Sequence, residues 1–294
     1  MSTAAPVAAA RDVRIREIPR GASTKPFIDL SWKINQADPQ WVPPLRMALE
    51  PVLDRNKHPF HKHADVAYFL AERGTEVVGR IAAVVNHQYN QFHDDRLGFF
   101  GFFECIDDAG VAGALLDAAA QWLRARGRDR MRGPMNFSTN DEFSSPGVLI
   151  DGFDTPPTVM MSHNLPYYAG LMDAAGMEKA KDLVAYWIPD RIPERLRNAM
   201  ERLAQRAGVN IRSVRMKDLQ AEVRRVQEVY NAAWSQNWGF VPMTEAEFNH
   251  MAKEMKPVVD ADLVLLAEKA DGEPIGFLLA LPDLNRAFKH LPDG

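Results

Sequence analysis

The residues best suited to do chemistry lie in the middle third of the chain. Glu104 sits in an aromatic run, Leu97 to Ile106 (LGFFGFFECI). A carboxylate buried among phenylalanines has a raised pKa and can serve as a general base. The alternative is a carboxylate paired with an arginine. The stretch Asn136-Phe137-Ser138-Thr139-Asn140-Asp141-Glu142 places six polar side chains in seven residues just after an expected strand. Strand-end loops are where sites tend to lie in α/β folds. Asn136, Ser138, Asn140 and Glu142 are therefore read as contacts for an amine or alcohol. A solvated turn with Asx-type hydrogen bonds is the other reading. His163 and Asn164 precede a helix and are read as substrate contacts, with capping as the competing role for Asn164. His58, His61 and His63 lack helical-pair spacing and have no cysteine beside them, so a surface loop is expected there and no metal site. Arg124, Arg126, Arg128, Arg130 and Arg132 alternate along a short stretch. They suit phosphates or anionic lipid head groups, or simply a helix C-terminus followed by a strand.

The elements that position these groups read as follows. Ala67 to Glu72 and Val77 to Val85 form a hairpin around Arg73-Gly74-Thr75. Leu97 to Ile106 is a third strand, and Asp108 caps a helix over Ala109 to Arg126. A strand over Arg130 to Phe137, a helix from Pro166 to Ala175 and a strand over Leu183 to Ile188 complete the first half. The segment Phe27 to Leu45 carries prolines at 39, 43 and 44, which make its later part extended. The second half begins with a helix, Glu194 to Ala207, then a strand, Val209 to Val214, and a helix, Leu219 to Ala233. Thr244 with Glu247 marks a capping box. A second hairpin spans Leu263 to Lys269 and Ile275 to Leu281.

Bulk composition excludes several classes. With 294 residues, 46% hydrophobic and 25% charged, the chain reads as about two globular domains. A net charge of -4 argues against nucleic acid as a partner. The single cysteine, Cys105, rules out an internal disulfide and reads as a small buried hydrophobe. No signal peptide or membrane span is visible, so the expected location is cytoplasmic, with peripheral membrane contact open. Met1 to Ala10 reads as a disordered tail.

The two hairpins repeat each other. Leu70-Ala71-Glu72-Arg73 matches Leu266-Ala267-Glu268-Lys269, an offset of 196 residues (267 − 71). Val78-Gly79-Arg80-Ile81 matches Ile275-Gly276-Phe277-Leu278. Trp32 and Trp234 give an offset of 202. One domain-sized period follows. By this comparison the second copy lacks roughly 90 residues after its hairpin, and Ile275 to Leu281 is left as an open edge.

The order of elements, with LAE…VGRIA and a helix ending AAGM, resembles the GNAT N-acetyltransferase fold. DPQWVPPL, GRIAAVVNHQYN, GFFGFFE, RGPMNFSTNDE, DGFDTPP and MMSHNLPYYAGLMDAAGMEKAKDL are similar to bacterial double-GNAT proteins, with acyl-CoA-dependent ceramide synthases among the broader relatives. The resemblance implies an α/β fold of tandem GNAT-like units, each a mixed central sheet flanked by helices, the second incomplete. Residues 1–26 are then tail and first strand, 27–190 the first domain, and 191–294 the second, truncated after its hairpin. It implies acyl transfer to an amine of small-molecule or lipid type, from acetyl-CoA or a longer acyl-CoA, with no metal. The alternative is a non-catalytic binding or scaffold protein of the same fold, or an inactive fragment.

The resemblance also brings requirements. The family's pyrophosphate loop, Arg/Gln-x-x-Gly-x-Gly/Ala, is replaced here by Glu104 to Gly113, where three acids sit at or near the phosphate position. The family's acid, a tyrosine four residues before the helix-ending glycine, is Met172 here. Tyr167 and Tyr168 are the substitutes, Tyr168 as the catalytic acid alongside Glu104 as base, and Tyr167 on the substrate.

Overall fold

The computed structural model describes residues 12–138, 140, 143–188 and 191–294. The expected tail, Met1 to Ala10, lies outside the described residues. The chain divides into two compact units, residues 1–182 with 283–294, and residues 183–282. The division falls at 182/183 where the sequence suggested 190/191, and Asp283–Gly294 groups with the first unit.

Unit 1 runs β1 (Val13–Glu17), α1 (Lys25–Asn35), α2 (Arg46–Leu53), β2 (Ala64–Arg73), β3 (Glu76–Asn86), α3 (His87–His93), β4 (Leu97–Cys105), α4 (Ala109–Arg124), β5 (Arg130–Arg132) and α5 (Tyr168–Ala174). Its five strands lie in the order β1-β2-β3-β4-β5, antiparallel except for the parallel β4–β5 pair. Val111, Leu115, Ala119 and Leu123 recur every fourth residue along α4 and are buried against the sheet. α1 begins just after Thr24 with Pro26 in its first turn and buries Phe27, Ile28 and Leu30.

Unit 2 runs α6 (Glu194–Ala207), β6 (Asn210–Ser213), α7 (Leu219–Trp234), α8 (Glu245–Met255), β7 (Val264–Glu268) and β8 (Pro274–Leu279). A short α9 (Asn285–Phe288) belongs to unit 1. The unit 2 sheet is β6-β7-β8, antiparallel throughout.

The repeat holds at the level of strand register. Arg16 faces Leu70 across β1–β2, and Arg212 faces Leu266 across β6–β7. Ala71 faces Gly79, with a bulge between Ala71 and Glu72. Ala267 faces Gly276, with a bulge between Ala267 and Glu268. In each unit the first-strand arginine reaches the glutamate beyond the bulge: Arg16–Glu72 at 2.7 Å and Arg212–Glu268 at 2.5 Å. A bulge at the same register is a defined backbone feature rather than a generic property of hairpins. Arg212 additionally grips Glu222 at 2.7 and 3.1 Å, a carboxylate side chain only 2% exposed.

Three expected elements differ. Leu183 to Ile188 forms no strand, and Tyr186 and Trp187 are 82% and 92% exposed. β-rich sequence needs a paired edge, and none of the described residues supplies one here. β5 stops at Arg132 because Gly133-Pro134 follows, and proline has no N–H for a ladder. The histidine segment is not a surface loop: His58 and Phe60 are buried, and His61 packs edge-on against Phe137 at 5.1 Å.

Candidate active site

β4 shapes the site. Arg80 faces Glu104 and Ala82 faces Gly101, so Phe102 and Phe103 together oppose Ile81. Phe102 takes φ 46°, a left-handed conformation that bulky residues seldom adopt. This bulge reverses the alternation of the strand. Phe100, Phe103 and Cys105 pack on the α4 side, while Phe102 meets Phe27 of α1 at 6.0 Å. Were the strand to alternate regularly from Phe100, Glu104 would share the face of Phe100 and enter the α4 core. With the bulge, Glu104 faces α1.

There the carboxylate is fully engaged. Arg80 Nη2 lies 3.1 Å away, Ser31 Oγ donates at 2.8 Å and Asn35 Nδ2 at 3.2 Å. Arg80, its side chain 5% exposed, also donates to the Phe27 carbonyl and lies over the Phe27 ring at 4.8 Å. Burial lowers the Arg80 pKa and the Glu104 charge opposes that shift. Of the two readings of Glu104, the arginine-paired one describes its surroundings.

The outer edge of β4 is capped by side chains instead of a strand. β5 pairs only with Leu97, Gly98 and Phe99. Beyond them the Met135 N–H donates to the Phe100 carbonyl at 2.8 Å. That segment runs so close to β4 that a Cβ on Gly101 would fall 2.0 Å from the Met135 carbonyl oxygen. Asn136 Oδ1 accepts from the Phe102 N–H at 2.6 Å. Tyr168 Oη accepts from the Cys105 N–H at 3.3 Å, and Tyr167 Oη donates to the Cys105 carbonyl at 2.8 Å. Burial raises the pKa of both tyrosines, so both stay protonated near neutral pH. Cys105 between them is pushed up to about 12, by burial first and then by Asp108, Glu104 and Asp107.

A second arrangement involves His163. Its Nε2 lies 2.9 Å from Asp38 Oδ2, with the two side chains 8% and 14% exposed. Its Nδ1 is buried with no partner among the described residues. A carboxylate on one ring nitrogen fixes the tautomer and leaves a lone pair on the other. Asp38 lies three residues after Asn35, so the end of α1 anchors both Glu104 and His163. Asp38 escaped the sequence reading, because nothing in its local pattern points to a partner 125 residues away.

The remaining predicted contacts hold loops. Asn136 Nδ2 donates to the Phe143 carbonyl at 3.0 Å, and Ser138 Oγ accepts from the Asn140 N–H at 3.1 Å. Asn164 accepts from the Leu149 N–H at 2.6 Å and donates to the Leu149 and Leu165 carbonyls. Glu142 lies outside the described residues. Among the described residues no group of three His, Cys, Asp or Glu could hold a metal. Burial lowers the His61 pKa to about 4, Arg55 adding to the shift and the Val52 carbonyl opposing it.

A helix N-terminus can hold a phosphate only through free N–H groups. At α4 two of those groups are taken by the chain's own carboxylate. Asp108 Oδ1 accepts from Gly110 N–H at 2.8 Å and Val111 N–H at 3.2 Å, and Oδ2 binds Arg73 at 2.7 Å. The residues present in unit 1 therefore do not fit a CoA pyrophosphate at this helix. A cavity of about 550 Å³ opens elsewhere, lined by residues including Arg20, Thr24, Glu50 and Arg55, and none of the predicted site residues lines it.

Comparison with known proteins gives the class. The sequence model of the acetyltransferase (GNAT) domain matches residues 191–289. The chain belongs to the GNAT-type N-acyltransferase superfamily. It is 41% identical over 284 residues to a bacterial ceramide synthase of Caulobacter vibrioides, covering 95% of this chain and 72% of that one. It is 34% identical over 274 residues to protein YghO of Escherichia coli, covering 91% and 67%. A solved tandem GNAT protein from the clavulanic acid biosynthesis pathway is 13% identical, with 90% of this chain and 73% of that one covered and a TM-score of 0.48. No helix among the described residues is long and apolar enough to cross a membrane.

Proposed function

We propose that the chain serves the N-acylation of a long-chain amine, with an acyl-CoA as donor. The observation that carries this reading is the 41% identity to a bacterial ceramide synthase along 95% of the chain. Ceramide is the amide of a fatty acid with a long-chain amino alcohol. In this reading unit 1 is the acceptor side. Only a neutral amine has the lone pair that attacks a thioester, so the ammonium must lose a proton. His163 Nδ1 receives it, with Asp38 stabilising the resulting imidazolium. Glu104 and the Tyr167–Tyr168 pair act as positioning residues that fix the end of β4. Asn136, Ser138, Asn140 and Glu142 are assigned in this reading to contact with the acceptor. The donor, acetyl-CoA or longer, is held away from the α4 N-terminus that Asp108 fills. α6 carries Leu196, Met200 and Leu203 exposed along one face among arginines, which suits a lipid-bearing surface.

The test is release of free CoA thiol from palmitoyl-CoA with long-chain and short amines. Release specific to the long-chain amine is expected, reduced by about two orders of magnitude in His163→Asn. Equal release with short amines, or an unaffected His163→Asn, refutes the reading. A second reading is favoured by Asp108 and the capped β4 edge: unit 1 is a non-catalytic binding domain of the same fold. Amine binding without thiol release would support it.

A further inference from the structure

The cavity of about 550 Å³ in unit 1 lies apart from the candidate active site. It is lined by the stretch from the end of β1 to the first turn of α1, by α2 and the residues just after it, and by Tyr68 of β2. α1 has 11 residues, so its two ends are about 16 Å apart. Asn35, which holds Glu104, is at the far end, and Asp38, which holds His163, lies beyond it. Four cations line the cavity: Arg20, Lys25, Arg55 and Lys57. The lysines are paired, Lys25 with Asp29 at 2.5 Å and Lys57 with Asp54 at 3.3 Å. The arginines have only neutral partners. Arg20 Nη2 donates to Asn56 Oδ1 at 3.0 Å and to the Arg55 carbonyl at 3.3 Å. Arg55 Nη2 donates to the Ile18 carbonyl at 3.3 Å, and the guanidinium lies over the Tyr68 ring at 4.5 Å. Arg55 Nε is buried with no partner among the described residues. Elsewhere in unit 1 a half-buried or buried arginine meets a carboxylate: Arg16 meets Glu72 and Arg80 meets Glu104. The other lining acid, Glu50, is exposed on α2 and has no cation partner among the described residues.

We infer that this cavity is a second binding site, for a phosphate ester whose phosphate is held by Arg20 and Arg55 and whose organic part lies against Ile18, Leu53 and Tyr68. Two neighbouring guanidinium groups without a carboxylate offer forked donors that match the several oxygens of a phosphate. The first turn of α1 adds to them: the Thr24 side chain caps none of its N–H groups, so the positive end of the helix faces the cavity wall unneutralised. At α4, by contrast, Asp108 takes that role. The field of the two arginines is felt at His61, whose pKa is lowered first by burial and then further by Arg55 and Arg20. A cavity of this size suits a small molecule rather than a bare ion. A soluble phosphate ester and a phosphatidate head group share this chemistry. The site does not depend on the acyl-transfer reading and stands whether or not an amine is acylated at His163.

The experiment titrates the purified chain with phenyl phosphate, by calorimetry at low ionic strength. A saturable one-to-one complex is expected, weakened roughly tenfold by Arg20→Gln and by Arg55→Met. Glu50→Gln removes a negative charge from the same wall and should tighten it. Arg124→Gln, at an exposed arginine of α4 outside the cavity, should leave it unchanged. Arg20 and Glu50 are exposed, so their variants should keep the circular dichroism of the parent chain even where Arg55→Met does not. Cosedimentation with phosphatidylcholine vesicles containing phosphatidate then separates the sources. Capture abolished by Arg20→Gln assigns a lipid head group, and phenyl phosphate binding without capture assigns a soluble ester. Neither binding nor capture overturns the inference, as does a complex indifferent to Arg20→Gln and Glu50→Gln, or one weakened equally by Arg124→Gln. Benzoate bound as tightly as phenyl phosphate overturns the assignment to phosphate, and full displacement by CoA overturns the claim of a second site.

Discussion

Replacing Asp108 by alanine tests whether the N-terminus of α4 is closed by the chain itself. The substitution removes the oxygen that accepts from two N–H groups, at 2.8 and 3.2 Å, and the ion pair with Arg73 at 2.7 Å. Loss of an N-cap costs about 1 kcal/mol. The Arg73 pair, with side chains 43% and 32% exposed, adds at most about 1 kcal/mol. A total of about 1–2 kcal/mol lowers the melting midpoint of a unit this size by roughly 3–6 °C. Asp108→Asn keeps a capping oxygen and should recover most of the loss. The pH dependence adds a second check. Hydrogen bonding from Arg73, with the two backbone N–H groups, holds the Asp108 carboxyl below its usual range. A group depressed on folding stabilises above its unfolded pKa, about 3.9, and loses that contribution as pH falls through the folded value. The gap between the wild-type chain and Asp108→Ala should thus be full at pH 7 and close as pH drops below about 4. Thermal denaturation by circular dichroism across pH 3 to 7 reads both effects. Equal midpoints at pH 7, or a gap that ignores pH, would refute the assignment.

The two register-equivalent glycines should respond with opposite sign. Gly79→Ala overpacks the α4 contact and should cost about 1–3 kcal/mol in urea denaturation. Gly276→Ala should stabilise by up to about 1 kcal/mol; equal effects would show that the two faces are equally covered. Glu104→Ala leaves the buried Arg80 charge unpaired and should cost about 3 kcal/mol, while the double variant Glu104→Leu with Arg80→Met recovers most of it. A silent Glu104→Ala would remove the ion pair from the account. Cys105, fully buried and with its thiol pKa near 12, should resist a thiol reagent at pH 8 until the chain is unfolded, and rapid native labelling would contradict its placement.

Local signals made much of this legible. The LAER and LAEK runs and their paired glycines announced two hairpins of one design, and the structure adds a bulge at the same register in each. Asp108 read as a cap and caps α4. The Thr244–Glu247 capping box forms as its spacing suggests. The failures were of two kinds. α1 carries a usable signal in Pro26 and the apolar Phe27, Ile28 and Leu30, but the prolines at 39, 43 and 44 mark the same segment as extended. Leu183 to Ile188 has strand composition and no pairing partner among the described residues. The contacts that define the site were beyond reach for a different reason. His163–Asp38 and Arg80–Glu104 join residues far apart in sequence, and the bulge at Phe102 that aims Glu104 is fixed by strand pairing rather than by local propensity.

The most direct test of the central claim is mass-spectrometric detection of the product. The chain is incubated with isotopically labelled palmitoyl-CoA and a long-chain amino alcohol, beside His163→Asn and a no-enzyme control. The account predicts a labelled N-acyl amide that accumulates with the wild-type chain and falls about a hundredfold in the variant. Labelled amide formed equally by both proteins would contradict the role of His163, and no amide from the wild-type chain, despite measurable binding of the amine, would contradict the claim that it is an N-acyltransferase of long-chain amines.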